Sequence, residues 1–224
     1  MDEKEIKIFW DEAYGHNDPV IIKREDCLAS DNLDKLLLEY SKDAKYILDY
    51  GCGITYNLFL LYYNNQNLVK AIGIDPSSNA IDFLKSSAIA TKIDNHIDFI
   101  NGDLEELKKL KSSSLDFVIC MNVLDCILET TRDDIFTEFN RVLKKDGILF
   151  FKVNFFLNEK EAKDFKLEKL DEHNYAQNGK FRIAFYEDDY WIKSFEKNGL
   201  LLIKKDLYKR NIHLPADRIF IFKK

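Results

Sequence analysis

The stretch that decides the fold of this chain is Tyr46-Ile47-Leu48-Asp49-Tyr50-Gly51-Cys52-Gly53-Ile54-Thr55-Tyr56-Asn57. In it a short apolar run ends in a carboxylate and two glycines, and a helical pattern begins directly afterwards. Glycines at a strand-to-helix turn let the backbone bend sharply, and they let a ligand approach where a Cβ would collide. The stretch therefore predicts a nucleotide-cofactor loop between a buried strand and a helix.

The residues after this loop exclude two common kinds of phosphate site. A dinucleotide fingerprint requires glycine at the position of Tyr56, and a phosphate-binding P-loop requires Gly-Lys-Ser/Thr shortly after the glycines. The chain has neither feature. The loop is therefore not expected to bind a pyrophosphate.

Apolar runs alternate with helical patterns along most of the chain, which is typical of a parallel sheet with helices on both faces. The runs predict seven strands, at 46–49, 69–74, 97–100, 115–121, 148–153, 200–207 and 218–222. The helical patterns predict helices at about 33–40, 55–63, 77–90, 132–143 and 187–197. We expect the last two strands to pair antiparallel, and Asp146-Gly147 to stop the helix predicted at 132–143. Residues 155–182 are polar and irregular, and they predict a cover over the site.

Four side chains end the first four predicted strands: Asp49, Asp75, Asp103 and Asn122. In an open α/β sheet the ligand lies beyond the carboxyl ends of the strands, near the point where the strand order reverses. Each of the three carboxylates has a plainer interpretation as a cap or turn residue when it is considered alone. Their ordered spacing behind one glycine loop favours a ligand site.

The order Asp49-x-Gly51-x-Gly53 resembles the first motif of class I S-adenosylmethionine-dependent methyltransferases, written Asp/Glu-x-Gly-x-Gly-x-Gly. Cysteine is common in that family where Cys52 stands, and Thr55 occupies the place of the third glycine. Asp75 resembles the family's second motif. Residues 138–149 are similar to its Arg-Val-Leu-Lys-Pro-Gly-Gly segment. Together these matches cover residues 45–153, and they imply a Rossmann-like fold and S-adenosyl-L-methionine as cofactor.

The resemblance implies a role for each matching position. Asp49 would serve the methionine end of the cofactor, Asp75 the ribose hydroxyls, and Asp103 the adenine amine with Leu104 against the ring. The complete set of implied cofactor residues is Asp49, Gly51, Cys52, Gly53, Asp75, Pro76, Gly102, Asp103, Leu104, Met121 and Asn122. Residues 121–124 lack the Asn/Asp-Pro-Pro-aromatic tetrad of methylases that act on base amines, which argues against DNA as substrate.

The segment Phe9-Trp10-Asp11-Glu12-Ala13-Tyr14-Gly15 is similar to the start of small-molecule methyltransferases of the thiopurine and tellurite-resistance type. This similarity implies that Trp10 and Tyr14 face the methyl group. The alternative is an amphipathic helix whose aromatic side chains pack on the core. Methyltransferases of types 11 and 12 are the other relatives that the motifs suggest.

Candidates for the chemistry are fewer, because an in-line methyl transfer needs alignment more than a base. Many relatives carry a histidine after the fourth strand, but Asp125-Cys126 stands there in this chain. We predict Asp125 and Tyr14 as catalytic residues, and Asp125 also has an interpretation as a solvated or capping side chain. The predicted substrate-side residues are Trp10, His173, Tyr175 and Arg182.

The 224 residues predict a single domain. We divide it into an N-terminal cap at 1–44, a cofactor-binding core at 45–154, a substrate-side insertion at 155–186 and C-terminal elements at 187–224. The motifs predict no second domain, and the sequence leaves monomer and homodimer open.

Composition limits the partners. A net charge of −6 lacks the basic footprint that nucleic acid requires, and no apolar run approaches the ~20 residues of a membrane span. The four cysteines form no Cys-x-x-Cys pair and no metal-like cluster with the four histidines. We expect a cytoplasmic protein with reduced thiols, no metal and a small-molecule substrate.

Three alternatives to a methyltransferase stay open at this point. An aminopropyltransferase shares the sheet but needs an acidic polyamine site, for which Asp125 alone is a poor match. A catalytically silent protein that binds the adenosyl cofactor is the second. A dehydrogenase is the third, and Tyr56 and Asp103 disfavour it.

Overall fold

The computed structural model describes residues 3–224. Its ten strands follow the chain as β1 (Tyr46–Tyr50), β2 (Lys70–Asp75), β3 (Ile97–Asn101), β4 (Leu115–Met121), β5 (Leu143–Val153), β6 (Glu168–Lys169), β7 (Asn174–Gln177), β8 (Lys180–Ala184), β9 (Leu201–Tyr208) and β10 (Asp217–Lys223). The helices are α1 (Glu3–Tyr14), α2 (Asn32–Ser41), α3 (Asn57–Asn64), α4 (Ser78–Thr91), α5 (Leu104–Lys109), α6 (Glu129–Val142), α7 (Glu159–Asp164) and α8 (Asp188–Lys197). No helix within residues 3–224 has both the length and the apolar composition that a membrane crossing requires.

Seven strands form the main sheet, in the order β3-β2-β1-β4-β5-β10-β9. The pairs among β1 to β5 are parallel, whereas β10 runs antiparallel to both β5 and β9. The mostly parallel sheet with an antiparallel last strand is therefore confirmed. The strand order reverses between β1 and β4, so the carboxyl ends of these two strands lie at the centre of the sheet edge.

Alternate residues of the central strands face two separate apolar cores. Ile47 and Phe117 contribute to the core beneath α2, α3 and α4, whereas Leu48 and Val118 contribute to the core beneath α6 and α8. All four side chains are buried. A strand buried on both faces is expected to be a continuous apolar run, as these strands are.

The region at 155–182 differs from the sequence prediction. It is not irregular, because it contains α7 and a three-stranded antiparallel sheet in the order β6-β7-β8. Asn158 and Glu161 form a reciprocal capping box at the start of α7. These strands have only two to five residues, and the alternation of polar and apolar residues in Lys180-Phe181-Arg182-Ile183 is the signal that the sequence prediction missed.

The predicted helix stop at Gly147 is wrong. Helix α6 ends at Val142 and the chain enters β5 directly. Asp146, not the glycine, takes the left-handed conformation, at φ +65°. Gly147 lies within β5, where an added Cβ would come 2.9 Å from the Lys144 carbonyl oxygen. The glycine is therefore needed for close backbone contact inside an irregular strand.

Candidate active site

The carboxyl ends of β1, β2 and β4 border two adjoining cavities of about 330 Å³ each, a size typical of small-molecule sites. We name them the Asp103 cavity, which reaches α5 and α6, and the Trp10 cavity, which reaches β8. The two cavities share five lining residues, Ile6, Gly51, Pro76, Val123 and Ile127. The site is thus one elongated cleft with two chemically different halves.

The glycine loop lies where the two halves meet. Gly51 has φ +72°, and a Cβ added to it would come 2.2 Å from a methyl carbon of Val123. Gly53 has φ +51°, and a Cβ there would come 2.5 Å from the Tyr14 hydroxyl. Both positions therefore require glycine for conformation and for space. Thr55 is exposed at the rim, and its hydroxyl donates to the Cys52 carbonyl at 2.9 Å.

Asp75 ends β2 and is almost completely buried beside this loop. Its two carboxylate oxygens accept from the Gly53 amide at 2.8 Å and from the Ser77 amide at 2.9 Å. Burial raises the pKa of Asp75, although both hydrogen bonds act in the opposite direction. The carboxylate is held rigidly at the cleft, with lone pairs left for hydroxyl donors.

Asp49 is also buried, but it does not line either cavity. Its side chain accepts a hydrogen bond from the Asn57 amide at 3.0 Å. Burial raises the pKa of Asp49 to about 7, with a further contribution from Asp75. Asp49 therefore does not contact a ligand in the cleft directly, and it can influence the ligand only through the glycine loop.

Asp103 marks the far end of the Asp103 cavity and caps α5 by accepting from the Glu105 amide at 3.1 Å. Its other carboxylate oxygen pairs with the Lys7 ammonium of α1. Burial opposes the effect of these donors, but together they hold the pKa of Asp103 below its usual range. Leu104 and Ile127 supply apolar walls next to the carboxylate. An ionised acceptor beside apolar walls suits a flat ring that carries an amine.

Helix α1 lies across the cleft as a cover. Ile6, Trp10 and Tyr14, spaced four residues apart on one helical face, all line the Trp10 cavity. On another side of α1, the Asp11 carboxylate accepts from the Ser77 hydroxyl at 2.8 Å and from the Asn79 amide at 3.0 Å. A carboxylate at the N-terminus of α4 is favoured by the helix dipole. Asp11 therefore ties the cover to the start of α4, and Lys7 ties it to Asp103 at the far end of the Asp103 cavity.

Tyr14 lies directly over Gly53, and its ring stacks on Trp10 with centroids 5.7 Å apart. Burial, aided by the negative charge of Asp75, raises the pKa of Tyr14 well above its ordinary value. The phenol is therefore neutral at physiological pH. It offers a hydrogen-bond donor and an aromatic face, and it is not a base.

The Trp10 cavity ends in polar and cationic groups from several elements. Met121 and Asn122 follow β4, and Asn122 takes a left-handed conformation at φ +58° while its side chain accepts from the buried Lys152 at 2.7 Å. Two guanidinium groups, of Arg182 and Arg210, also line this half of the cleft. This end of the site can therefore hold a polar acceptor molecule.

Asp125 lies behind the wall of the cleft rather than on it. The carboxylate is buried and accepts from the Asn154 backbone amide at 2.9 Å and side-chain amide at 2.8 Å. Its second oxygen has no hydrogen-bond partner within the described residues. The structure thus gives Asp125 the geometry of a group that orients Asn154, which does line the Trp10 cavity.

Two predicted substrate-side residues are not brought to the cleft. Tyr175 is buried in a small cluster with Leu157 and Phe185, and the His173 ring packs on Tyr186 with centroids 4.3 Å apart. Neither residue lines either cavity. Both lie in the small sheet region, whose strands the sequence did not indicate.

The other predicted site residues do converge on the cleft. Those in the Asp103 cavity are Gly102, Asp103 and Leu104, and those in the Trp10 cavity are Trp10, Tyr14, Cys52, Gly53, Asp75, Met121, Asn122 and Arg182, with Gly51 and Pro76 in both. Sequence reasoning missed Lys7, Asp11, Asn154 and Arg210. The helical spacing of Lys7 and Asp11 relative to Trp10 and Tyr14 was the available signal for the first two.

Comparison with known proteins adds a second line of evidence. Residues 48–151 match the family model described as a methyltransferase domain. The chain is 30% identical over 120 residues to "Probable S-adenosylmethionine-dependent methyltransferase CRG1" of Saccharomyces cerevisiae, which is 53% of this chain and 39% of that protein. It is 35% identical over 105 residues to "Thiol S-methyltransferase TMT1B" of Rattus norvegicus, which is 47% of this chain and 41% of that protein. The matched part therefore spans about two fifths of each relative.

Among solved structures, the fold is similar to that of 1,6-didemethyltoxoflavin-N1-methyltransferase from Burkholderia thailandensis, crystallised with 1,6-didemethyltoxoflavin and S-adenosylhomocysteine. The TM-score is 0.67, with 89% of this chain and 80% of that chain covered. Sequence identity is 11%, so this likeness concerns the fold alone.

Proposed function

We propose that this chain, which belongs to the class I S-adenosylmethionine-dependent methyltransferase family, transfers the methyl group of that cofactor to a small-molecule acceptor. The observation that carries the proposal is the single cleft in which the glycine loop, Asp75, Asp103 and the aromatic face of α1 meet. These groups are the ones that an adenosyl ligand and a reacting centre require.

The residues of the cleft fit the cofactor. The space above Gly51 and Gly53, which a Cβ would disturb, would take the centre of the ligand. Asp75 would accept from the ribose hydroxyls, and Asp103 would accept from the adenine amine beside Leu104. When bound, S-adenosylmethionine supplies a methyl group on a positively charged sulfur, which is already activated for displacement.

The chain's own contribution is alignment and exclusion of water. Trp10 and Tyr14 would cover the reacting centre, with the Tyr14 hydroxyl as a neutral donor. The carboxylate of Asp125 would keep Asn154 oriented at the acceptor side. Asp75, the carboxylate that lines the Trp10 cavity, is held by two backbone amides and is assigned to the ribose, and Asp125 lies behind the wall of the cleft. We therefore propose an acceptor that needs no dedicated protein base, or one that loses its proton to water.

The first experiment is calorimetric titration of S-adenosylhomocysteine and S-adenosylmethionine into the wild type and Asp75→Asn. We expect Asp75→Asn to weaken binding by about tenfold to a hundredfold, because two hydrogen bonds to a charged acceptor are impaired. Asp82→Asn is the matched control, since Asp82 is exposed on α4 and should bind as the wild type does.

Turnover is tested with the same proteins by release of S-adenosylhomocysteine over a panel of thiols, amines, phenols and acids. Release that requires both an acceptor and Asp75 supports the proposed function. Absence of binding by the wild type contradicts it. Tight binding without release on any acceptor of a broad panel favours a cofactor-binding protein without transferase activity.

A reducing, cytoplasmic location is part of the proposal. Cys27, Cys52, Cys120 and Cys126 are all free and buried in the structure. Buried thiols without disulfides are typical of reducing compartments. The state of the thiols is tested by titration with a thiol reagent, with and without denaturant. If all four are reduced and buried, four groups react in the unfolded chain and not in the folded one.

A further inference from the structure

We infer that the acceptor carries a carboxylate group, which Arg182 binds at the Trp10 cavity. The inference rests on the proposed function, because it names the chemical class of the molecule that would receive the methyl group. It concerns recognition of the acceptor and not the identity of the atom that is methylated.

The Arg182 guanidinium is held in place by two aromatic rings of the cover helix. Its central carbon lies 5.0 Å from the ring centroid of Trp10 and 5.5 Å from that of Phe9. Contacts of this kind fix a guanidinium while they leave its N–H groups free for a planar partner. Trp10 and Arg182 both line the Trp10 cavity.

Among the side chains of residues 4–224, no carboxylate forms an ion pair with this arginine. Within the described part of the chain, the one hydrogen-bond partner of the Arg182 side chain is the Cys126 sulfur, at 3.8 Å from Nη1. Burial raises the pKa of the Cys126 thiol, so the sulfur is neutral and does not balance the charge. A half-buried cation without a counter-ion is an unusual feature, and it favours an anionic ligand.

The two neighbouring cations, Arg210 and Lys152, differ from Arg182 because each forms an ion pair with a carboxylate. Arg210, which lines the same cavity, donates to both oxygens of Asp217, at 2.8 and 3.0 Å, and to Asn154 at 2.6 Å. The buried Lys152 shares Asp217, at 2.8 Å. Asp217 therefore pairs with two cations, and it forms no ion pair with Arg182.

Three other carboxylates lie near this half of the cleft, and none of them pairs with Arg182. Asp125 accepts twice from Asn154 behind the wall, Asp75 accepts from the Gly53 and Ser77 amides, and Glu5, which borders a small side pocket with Arg182, is exposed to solvent. Among the residues that line the Trp10 cavity, two arginines therefore face one carboxylate, although the whole chain carries a net charge of −6. This excess of positive charge is confined to the residues that line the cavity.

A carboxylate suits this arrangement better than other anions. One guanidinium presents two parallel N–H groups, which match the two oxygens of a single carboxylate. The rings of Trp10 and Phe9 and the side chain of Ile6 leave apolar surface beside it for the body of the ligand. The acceptor is thus an apolar or aromatic acid of small size.

The test uses protein saturated with S-adenosylhomocysteine and pairs of probes that differ only in one group: benzoate and benzamide, hexanoate and hexanamide, indole-3-acetate and its amide. Binding of every pair is followed by calorimetry, and binding of the benzoate and hexanoate pairs is also followed by tryptophan fluorescence, because the indole pair is itself fluorescent. The fluorescence reports on Trp10, because the other tryptophan, Trp191, is fully buried in a core. The variants are Arg182→Met, Arg182→Lys and the exposed, remote control Arg24→Met.

We expect at least one acid to bind the wild type about tenfold or more tightly than its amide, because a charge-assisted pair is gained. Arg182→Met should abolish this preference, Arg182→Lys should retain part of it, and Arg24→Met should leave it unchanged. Equal binding of acid and amide, or no binding of any acid, overturns the inference. Failure of S-adenosylhomocysteine to bind at the outset contradicts the proposed function instead.

Discussion

Carboxylates at the sheet edge carry the chemistry of this site, and their surroundings give them different protonation states. Asp103 is paired with a lysine, and its pKa is lowered. Asp49 is buried with one amide donor, and its pKa is raised to about 7. Asp49 is neutral below this pH and charged above it, so the charge beside the glycine loop changes with pH.

The raised pKa of Asp49 predicts how the free energy of unfolding changes with pH. Because the folded pKa of Asp49 exceeds the ordinary value of 3.8, the folded chain binds more protons than the unfolded chain between these two values. Stability from this group is therefore lost as pH rises toward 7, and no further change follows above it. Between about pH 5 and pH 7 the wild type should lose about 2 kcal/mol relative to Asp49→Asn.

Urea unfolding of the two proteins at several pH values in this range measures the difference. Other titrating groups are common to both proteins and cancel in the subtraction. Parallel profiles for the wild type and Asp49→Asn would show that Asp49 keeps an ordinary pKa, and that the loop does not bury a charge.

Among the elements, α1 decides whether the cleft is covered. Its apolar face closes the site with Ile6, Trp10 and Tyr14, and its polar side is tied down by Lys7 and Asp11. Ile6, Lys7, Trp10 and Tyr14 line the cleft, and α4 is the element that α1 contacts most within the described residues. Local opening of such an element costs less free energy than global unfolding.

Removing the Asp11 tether should loosen α1. In Asp11→Ala the hydroxyl of Ser77 and the amide of Asn79 lose their acceptor at the start of α4. We expect hydrogen exchange in residues 3–14 to become about fivefold faster, as for the loss of a capping carboxylate. Hydrogen–deuterium exchange with mass spectrometry of the peptide that contains α1 gives the rate.

Glu12→Ala is the control for this experiment, because Glu12 is the adjacent acidic residue and is exposed. It removes the same charge from the same helix without a tether. Equal exchange rates in Asp11→Ala and the wild type would mean that the contact with α4 does not hold the cover.

The sequence was informative wherever local chemistry decides the structure. Gly51 and Gly53 could be predicted, because their positive φ angles and the lack of space exclude a side chain. The small sheet around Tyr175 was not predicted, since its strands are short and depend on pairing with each other and on a local apolar cluster. Asp125 likewise looked like a residue of the site until its contact with Asn154 placed it behind the wall.

The whole molecule combines two apolar cores on one continuous sheet with a small peripheral sheet. Residues of β10 contribute to both cores, since Ile219 and Phe220 face opposite sides. We propose on this basis that the four regions defined from the sequence form one domain. A sheet shared by both cores couples their unfolding, because disrupting one face exposes the other.

One cooperative transition is therefore expected in urea. Tryptophan fluorescence, to which the buried Trp191 contributes, and far-ultraviolet circular dichroism should give the same midpoint within error. Two separate midpoints, or a fluorescence change that precedes the loss of secondary structure, would indicate that the regions unfold independently.

The most direct test of the central claim, that the cleft beneath α1 is an adenosyl-cofactor site, is a crystal structure of the protein with S-adenosylhomocysteine. We expect the adenine amine at Asp103, the ribose hydroxyls at Asp75, and the sulfur beneath Trp10 and Tyr14. A ligand bound elsewhere, or one in the cleft that makes no contact with Asp75, would contradict it.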